Sequence, residues 1–109
     1  MWRKINTMGG INIVSYTVTA TGTVTTNDTR ISGFTVINKS AANNKGVMFH
    51  NLNSDGSVGN TLINVDILNS VGTGNGNQIT QNYTGTGVYF ENGVYCSVDT
   101  SCYTLFTTF

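Results

Sequence analysis

Residues Gly87 to Phe109 have the sequence GVYFENGVYCSVDTSCYTLFTTF, and this C-terminal stretch decides the fold class. Apolar and polar residues alternate along most of it, which is the period of a β-strand with one face on a core and the other in solvent. Polar and glycine residues interrupt the alternation at two points and predict turns there. The stretch therefore predicts three short strands: GVYF, GVYCSV and CYTLFTTF.

The rest of the chain carries the same signal. It has no proline, and Thr, Val, Ile, Tyr and Phe are abundant, as is typical of strands. Gly33 predicts a bulge or a close backbone approach, and a break in the alternation of GVMFHNLN predicts a second bulge. Asp55-Gly56 predicts a tight turn. Further strands are predicted at INIVSYTVT, TGTVTT, RISGFTVINKS, GVMFHNLN, TLINVDILN and QITQNYT. Together these patterns predict an all-β fold, an antiparallel β-sandwich of jelly-roll type with about eight or nine strands.

Alternation also predicts which side chains face the core. In each strand, the apolar residues that recur at every second position are assigned to the inner face. Val14, Tyr16 and Val18 share one face of the first predicted strand, and Ile11 and Ile13 share the other. The predicted core residues of the later strands are Ile31, Phe34, Val36, Ile37, Val47, Phe49, Leu52, Ile63, Val65 and Ile67.

Composition limits the partners. Only 9% of the residues are charged, and five basic side chains balance five acidic ones, so nucleic acid is not expected as the main partner. No apolar run approaches the roughly 20 residues of a membrane helix, so no membrane association is expected. The N-terminus lacks the apolar segment of a secretory signal, so we expect synthesis in a cytoplasm.

The first ten residues, MWRKINTMGG, differ from the rest of the chain because they lack strand-like alternation. We predict an N-terminal arm over residues 1–10, hinged at Gly9-Gly10, and a single sandwich domain over residues 11–109. A large indole on such an arm is expected to dock on its own domain or on a neighbour. The predicted arm interface consists of Trp2, Arg3, Lys4 and Ile5.

Cys96 and Cys102 flank a polar turn. If a hairpin turns about Asp99, the two cysteines face each other across neighbouring strands. A cytoplasm keeps thiols reduced, which leaves two interpretations: two free thiols, or a disulfide formed after release from the cell. A zinc site is not predicted, because the chain has one histidine and no second cysteine pair.

No other motif predicts chemistry. His50 lacks a nucleophile motif and is interpreted as a strand-surface histidine. Asn53, Asp55 and Ser57 alternate as in a calcium loop, but Gly56 stands at the wrong place, so a hairpin turn is favoured. The carboxylates are scattered singly along the chain. The sequence therefore predicts no catalytic, cofactor-binding or metal-binding residue.

Aromatic residues crowd the C-terminal third. Two interpretations remain: a sugar-binding platform, or a sandwich core with tyrosine hydroxyls at its rim, which strand geometry favours. The platform requires at least two rings exposed in one plane. The tyrosines concerned are Tyr83, Tyr89, Tyr95 and Tyr103.

Two segments carry a resemblance to a known group of proteins. RISGFTVINKSAANNKGVMFHNL (residues 30–52) and GTGVYFENGVYCSVD (residues 85–99), followed by CYTLF, resemble small β-sandwich virion proteins of tailed bacteriophages. Cys96 departs from the pattern, where an aliphatic residue is usual. The matching positions are Gly87, Val88, Tyr89, Phe90, Gly93, Val94, Tyr95 and Val98.

The resemblance implies a non-enzymatic structural role in a virion, as a capsid decoration or cement protein present in many copies. The implied partners are the major capsid protein or other virion proteins, and a homo-oligomer such as a trimer is expected. The loops AANNKG and SVGTGNGN are candidate contact sites. The alternative is a carbohydrate-binding or adhesin-type module, such as a tail or fibre component.

Overall fold

The computed structural model describes residues 2–6 (backbone), 14–40, 43–68 and 77–109, and these residues confirm the all-β prediction. Within these ranges, no helix is long and apolar enough to cross a membrane. Nine of the ten strands match predicted ones, and the N-terminal strand was not expected. The strands are β1 (Trp2–Asn6), β2 (Val14–Val18), β3 (Gly22–Thr25), β4 (Thr29–Asn38), β5 (Lys45–Leu52), β6 (Val58–Ile67), β7 (Asn77–Asn82), β8 (Val88–Phe90), β9 (Val94–Val98) and β10 (Cys102–Thr108).

The strands form two antiparallel sheets. The first sheet has the order β1-β2-β10-β4-β7, and β8 also pairs with β4. The second sheet has the order β3-β9-β5-β6. Because β9 and β10 lie in different sheets, the predicted hairpin about Asp99 is wrong. The polar turn instead carries the chain from one layer to the other.

The core lies between the sheets and centres on three phenylalanines. The ring of Phe49 in the second sheet meets Phe106 edge-on, with centroids 5.4 Å apart, and Phe34 at 5.5 Å. Tyr16 stacks on Phe106 at 5.0 Å. Such offset and edge-on pairs add to the gain from burying apolar area. All ten predicted core residues are buried, and the face formed by Val14, Tyr16 and Val18 also lies on the core, with Val14 partly buried.

Both predicted bulges are present. Pairing between β10 and β4 shifts at Gly33, where Thr107 pairs with Gly33 but the next residue pairs with Ile31. A Cβ atom at Gly33 would lie 2.7 Å from Asn82 Oδ1, so the backbone approach is also close. Pairing between β5 and β6 shifts on both sides of His50.

The expectation that the N-terminal segment has no place in a sheet is wrong. Residues 2–6 pair with β2 in an antiparallel register from Trp2 opposite Val18 to Asn6 opposite Val14. The physical reason is the edge of β2, whose outward backbone groups gain partners by this pairing. Residues 1 and 7–13, which include the predicted hinge, lie outside the described residues, so the division at residue 10 stays a prediction.

Candidate functional site

The outer face of the first sheet is the main candidate surface. Residues that pair directly across antiparallel strands point to the same side, and their neighbours point to the other. Tyr16, Phe106 and Phe34 pair in a row and are buried, so the residues beside them face outward. We call this surface the hydroxyl face. It consists of Ser15, Thr17, Gly33, Thr35, Thr80, Asn82, Leu105 and Thr107.

These eight residues form two rows across four strands. One row runs Thr17, Leu105, Thr35, Thr80, and the other runs Ser15, Thr107, Gly33, Asn82. A depression of about 280 Å³ lies on this face, and Gly33 is among its lining residues. Leu105 is 41% exposed and supplies an apolar contact beside the hydroxyls.

Hydrogen bonds hold several of the hydroxyl groups in place. Thr35 Oγ1 and Thr80 Oγ1 lie 2.8 Å apart, and Ser32 Oγ lies 2.7 Å from Thr107 Oγ1. None of the eight residues is charged, so the face offers neither a base nor an acid for catalysis. It can instead contact a neutral polar surface through hydroxyl groups and van der Waals packing.

A second concavity lies at the side of the sandwich, between the edges of β6 and β7. It is an open groove of about 480 Å³. Phe34, Val65, Ile79 and Tyr83 supply its apolar lining, and Asp66 lies in the same lining. No group of three or more His, Cys, Asp or Glu residues that could hold a metal ion occurs in the described ranges.

The sequence predicts that His50 lies on the surface of a strand, but in the structure His50 is buried. It is only 9% exposed and is held between two hydroxyl groups of neighbouring strands. Its Nε2 lies 2.8 Å from Ser97 Oγ, its Nδ1 lies 2.9 Å from Thr61 Oγ1, and its ring meets Tyr95 edge-on at 5.8 Å. The two flanking strands, β6 and β9, supply these partners. No carboxylate is among these partners, so the arrangement lacks the orienting acid of a catalytic triad.

Both cysteines are free and buried, and they lie in opposite sheets. Cys96 is opposite Phe49 on β5, whereas Cys102 is opposite Asn38 on β4. Cys96 and Cys102 therefore do not face each other across neighbouring strands, which the alternative interpretation as a disulfide requires. Burial raises the pKa of the Cys96 thiol to about 12, and burial together with the charge of Asp99 raises the pKa of Cys102. Neither thiol has the low pKa of a reactive cysteine.

The Asn53–Ser57 segment forms the predicted turn. Asp55 Oδ1 accepts hydrogen bonds from the Ser57 backbone N–H at 3.0 Å and the Ser57 hydroxyl at 2.6 Å. These bonds hold the pKa of Asp55 below its usual value. Gly56 has a φ of 88°, which a glycine adopts without strain.

The tyrosine platform is not formed. Tyr83 packs on Phe34 beside the lateral groove, and Tyr95 packs on His50. Tyr89, the most exposed of the four at 43%, lies under the Arg30 guanidinium, and Tyr103 lies near Lys39 Nζ. All four tyrosine residues are less than half exposed and their rings lie against different neighbours, so the requirement of two exposed rings in one plane is not met.

The predicted arm interface is described by its backbone alone. Trp2, Arg3, Lys4 and Ile5 lie in β1, and their role in an interface stays a prediction. Most of the SVGTGNGN loop and residues 41–42 of AANNKG lie outside the described residues.

Comparison with protein-family models, with curated proteins and with solved structures finds no match to this chain. The functional interpretation therefore depends on the fold, on its surfaces and on the sequence resemblance.

Proposed function

We propose that this chain is a non-enzymatic structural protein of a bacteriophage virion, most specifically a capsid decoration or cement protein. The hydroxyl face is the observation that carries the proposal. It is a broad uncharged surface on four paired strands, and it combines an exposed leucine with ordered hydroxyl groups. These properties suit attachment to another protein surface. They do not suit catalysis, because the face carries no titratable group.

The physical mechanism is weak contact repeated many times. A single face of this kind binds modestly, since a neutral hydrogen bond contributes only about 0.5–1.5 kcal/mol net. Copies that assemble on a symmetric lattice gain avidity from their neighbours. Because the eight residues of the face are uncharged, contacts made by them alone should change little with ionic strength, unlike attachment through charged patches.

The test is incorporation into particles. Leu105→Lys places a charge in the centre of the hydroxyl face, and Leu62→Lys is the matched control, because Leu62 is 43% exposed on the second sheet. We expect the wild type and Leu62→Lys to copurify with particles and Leu105→Lys to be lost. Absence of the wild-type protein from purified particles would overturn the proposal.

A separate variant tests the N-terminal segment. Deletion of residues 1–8 removes β1, and we expect reduced occupancy if this segment contacts a neighbouring subunit. Because β1 pairs with β2, thermal unfolding of the truncated protein must accompany the measurement. Unchanged occupancy would refute a role of this segment in attachment.

The depression on the hydroxyl face supports a second candidate, carbohydrate binding. Its volume of about 280 Å³ and its hydroxyl lining suit a small neutral sugar. A glycan array probed with wild type and Leu105→Lys tests this candidate. Binding that the variant loses would favour it, and an array without binding would remove it.

A further inference from the structure

The β7 edge of the first sheet lacks the features that keep strands from pairing with other chains. Its sequence, NQITQN, contains no charge, proline or glycine, and its six pairs with β4 run without a register shift. Natural edge strands are usually protected by charges, bulges or proline. The other edge strands of the described ranges have such protection: β1 contains Arg3 and Lys4, β3 has a register shift, β6 has register shifts and Asp66, and β8 is only three residues long.

The hydrogen bonds show which backbone groups of β7 face outward. The Tyr83 N–H donates to the Ser32 carbonyl oxygen at 2.8 Å, so residue 83 faces β4. Because successive residues of a strand face opposite edges, residues 79 and 81 also face β4. The N–H and C=O groups of Gln78, Thr80 and Asn82 therefore point away from the sheet. In the described part of the chain, no strand pairs with them.

We propose that β7 pairs with β7 of a second copy of this chain, antiparallel, about a two-fold axis at Thr80. In this register Thr80 lies opposite Thr80 of the second copy, and Gln78 lies opposite Asn82. All three outward residues of each copy then donate and accept a backbone hydrogen bond. The Gln81 side chain already donates to the Asn82 carbonyl oxygen at 3.1 Å, but that oxygen has a second lone pair.

The side chains agree with the same register. Thr80, Gln78 and Asn82 all lie on the outer side of the first sheet and are exposed and uncharged, so no like charges meet across the axis. A shift by one residue would place the outer face of one copy beside the inner face of the other. A shift by two residues would leave either Asn82 or Gln78 outside the β7–β7 ladder, depending on its direction. The proposed register is therefore the one that pairs all three outward residues.

The paired sheets would join two hydroxyl faces into one continuous surface, with Thr80 at its centre. This inference rests on the part of the proposed function that places the protein in many copies. It does not require attachment to a capsid. Its test uses the isolated protein. A monomeric protein would refute the dimer without bearing on particle attachment, and absence from particles would refute attachment without bearing on the dimer.

The experiment uses opposite charges at the axis. Native mass spectrometry and sedimentation measure the full chain as wild type, Thr80→Lys, Thr80→Asp and an equimolar mixture of the two variants. Because residue 80 meets its own copy, each variant alone brings like charges together. We expect wild-type dimers, monomers for each variant alone, and a heterodimer of Lys and Asp chains in the mixture.

Two controls separate pairing from folding. Thr80→Ala loses the Thr35 hydroxyl contact but keeps the backbone edge, and we expect it to dimerise. Thermal unfolding checks that each charged variant is folded. A wild-type protein that stays monomeric up to about 1 mM, a trimer, or a Thr80→Lys variant that assembles like the wild type would overturn the inference.

Discussion

The side-chain amide nitrogen of Asn38 donates a hydrogen bond to the Ile67 carbonyl oxygen at 3.2 Å, and this bond joins the two sheets of the sandwich. Asn38 ends β4 in the first sheet, and Ile67 ends β6 in the second. The same amide nitrogen lies 3.1 Å from the Asn43 carbonyl oxygen, and Asn38 Oδ1 accepts the Ser40 N–H at 2.9 Å. Asn38 is fully buried. One polar side chain of the first sheet thus satisfies a backbone group of the second sheet and backbone groups of the loop that joins β4 to β5.

Replacing Asn38 should therefore destabilise the fold. Asn38→Ala leaves the Ser40 N–H and the Ile67 carbonyl without this partner, and we expect a loss of about 3 kcal/mol in the free energy of unfolding. Urea denaturation measures the loss. Asn64→Ala is the control, because Asn64 is exposed on β6, and we expect it to cost less than about 0.5 kcal/mol. Equal losses for the two variants would contradict this account.

The sequence predicted what local periodicity determines. The inner positions Val47 and Phe49 follow from alternation within one strand, which needs no knowledge of the neighbours. The placement of Cys96 and Cys102 did not follow, because sheet membership depends on pairing with strands distant in sequence. Adjacent strands joined by a short polar turn predict a hairpin, but here the turn crosses between layers.

The candidate site was missed for the same reason. In the sequence, Thr35 and Thr80 each occupy a polar position of an alternating strand, but they are 45 residues apart in the chain. Their contact depends on β4 and β7 being neighbours, which no local pattern encodes. The burial of His50 likewise depends on Thr61 and Ser97, which come from two other strands.

Gly46 is a second position that the fold constrains strictly. A Cβ atom there would overlap the Val65 carbonyl oxygen, a backbone atom that cannot move aside. We expect Gly46→Ala to cost about 4 kcal/mol or more, or to prevent folding. Gly22→Ala is the matched control, because a Cβ atom at Gly22 meets no atom within 4 Å and its φ is not positive. Soluble yield and thermal unfolding of the two variants check the contrast.

The His50 network should contribute to stability without any catalytic role. His50→Ala removes two side-chain hydrogen bonds, but Thr61 is exposed and can turn to water. We expect a loss of about 1–2 kcal/mol in the free energy of unfolding. Met48→Ala, at an exposed site on the same strand, should cost less. Chemical denaturation compares them, and a His50→Ala protein as stable as the wild type would contradict the structural role.

The buried thiol of Cys96 predicts a loss of stability at high pH. Burial raises its pKa from the ordinary value of 9.0 to about 12. Between these two pKa values the unfolded chain has lost the thiol proton, whereas the folded chain retains it. The stability that the neutral buried thiol contributes is therefore complete below pH 9. Above that pH it falls by at most about 1.4 kcal/mol per pH unit. Urea denaturation in reductant from about pH 8 to about pH 11 should give a steeper decline for the wild type than for Cys96→Ala. All other titratable groups are common to the two proteins, so the difference between the two slopes reports Cys96, and parallel slopes would refute the prediction.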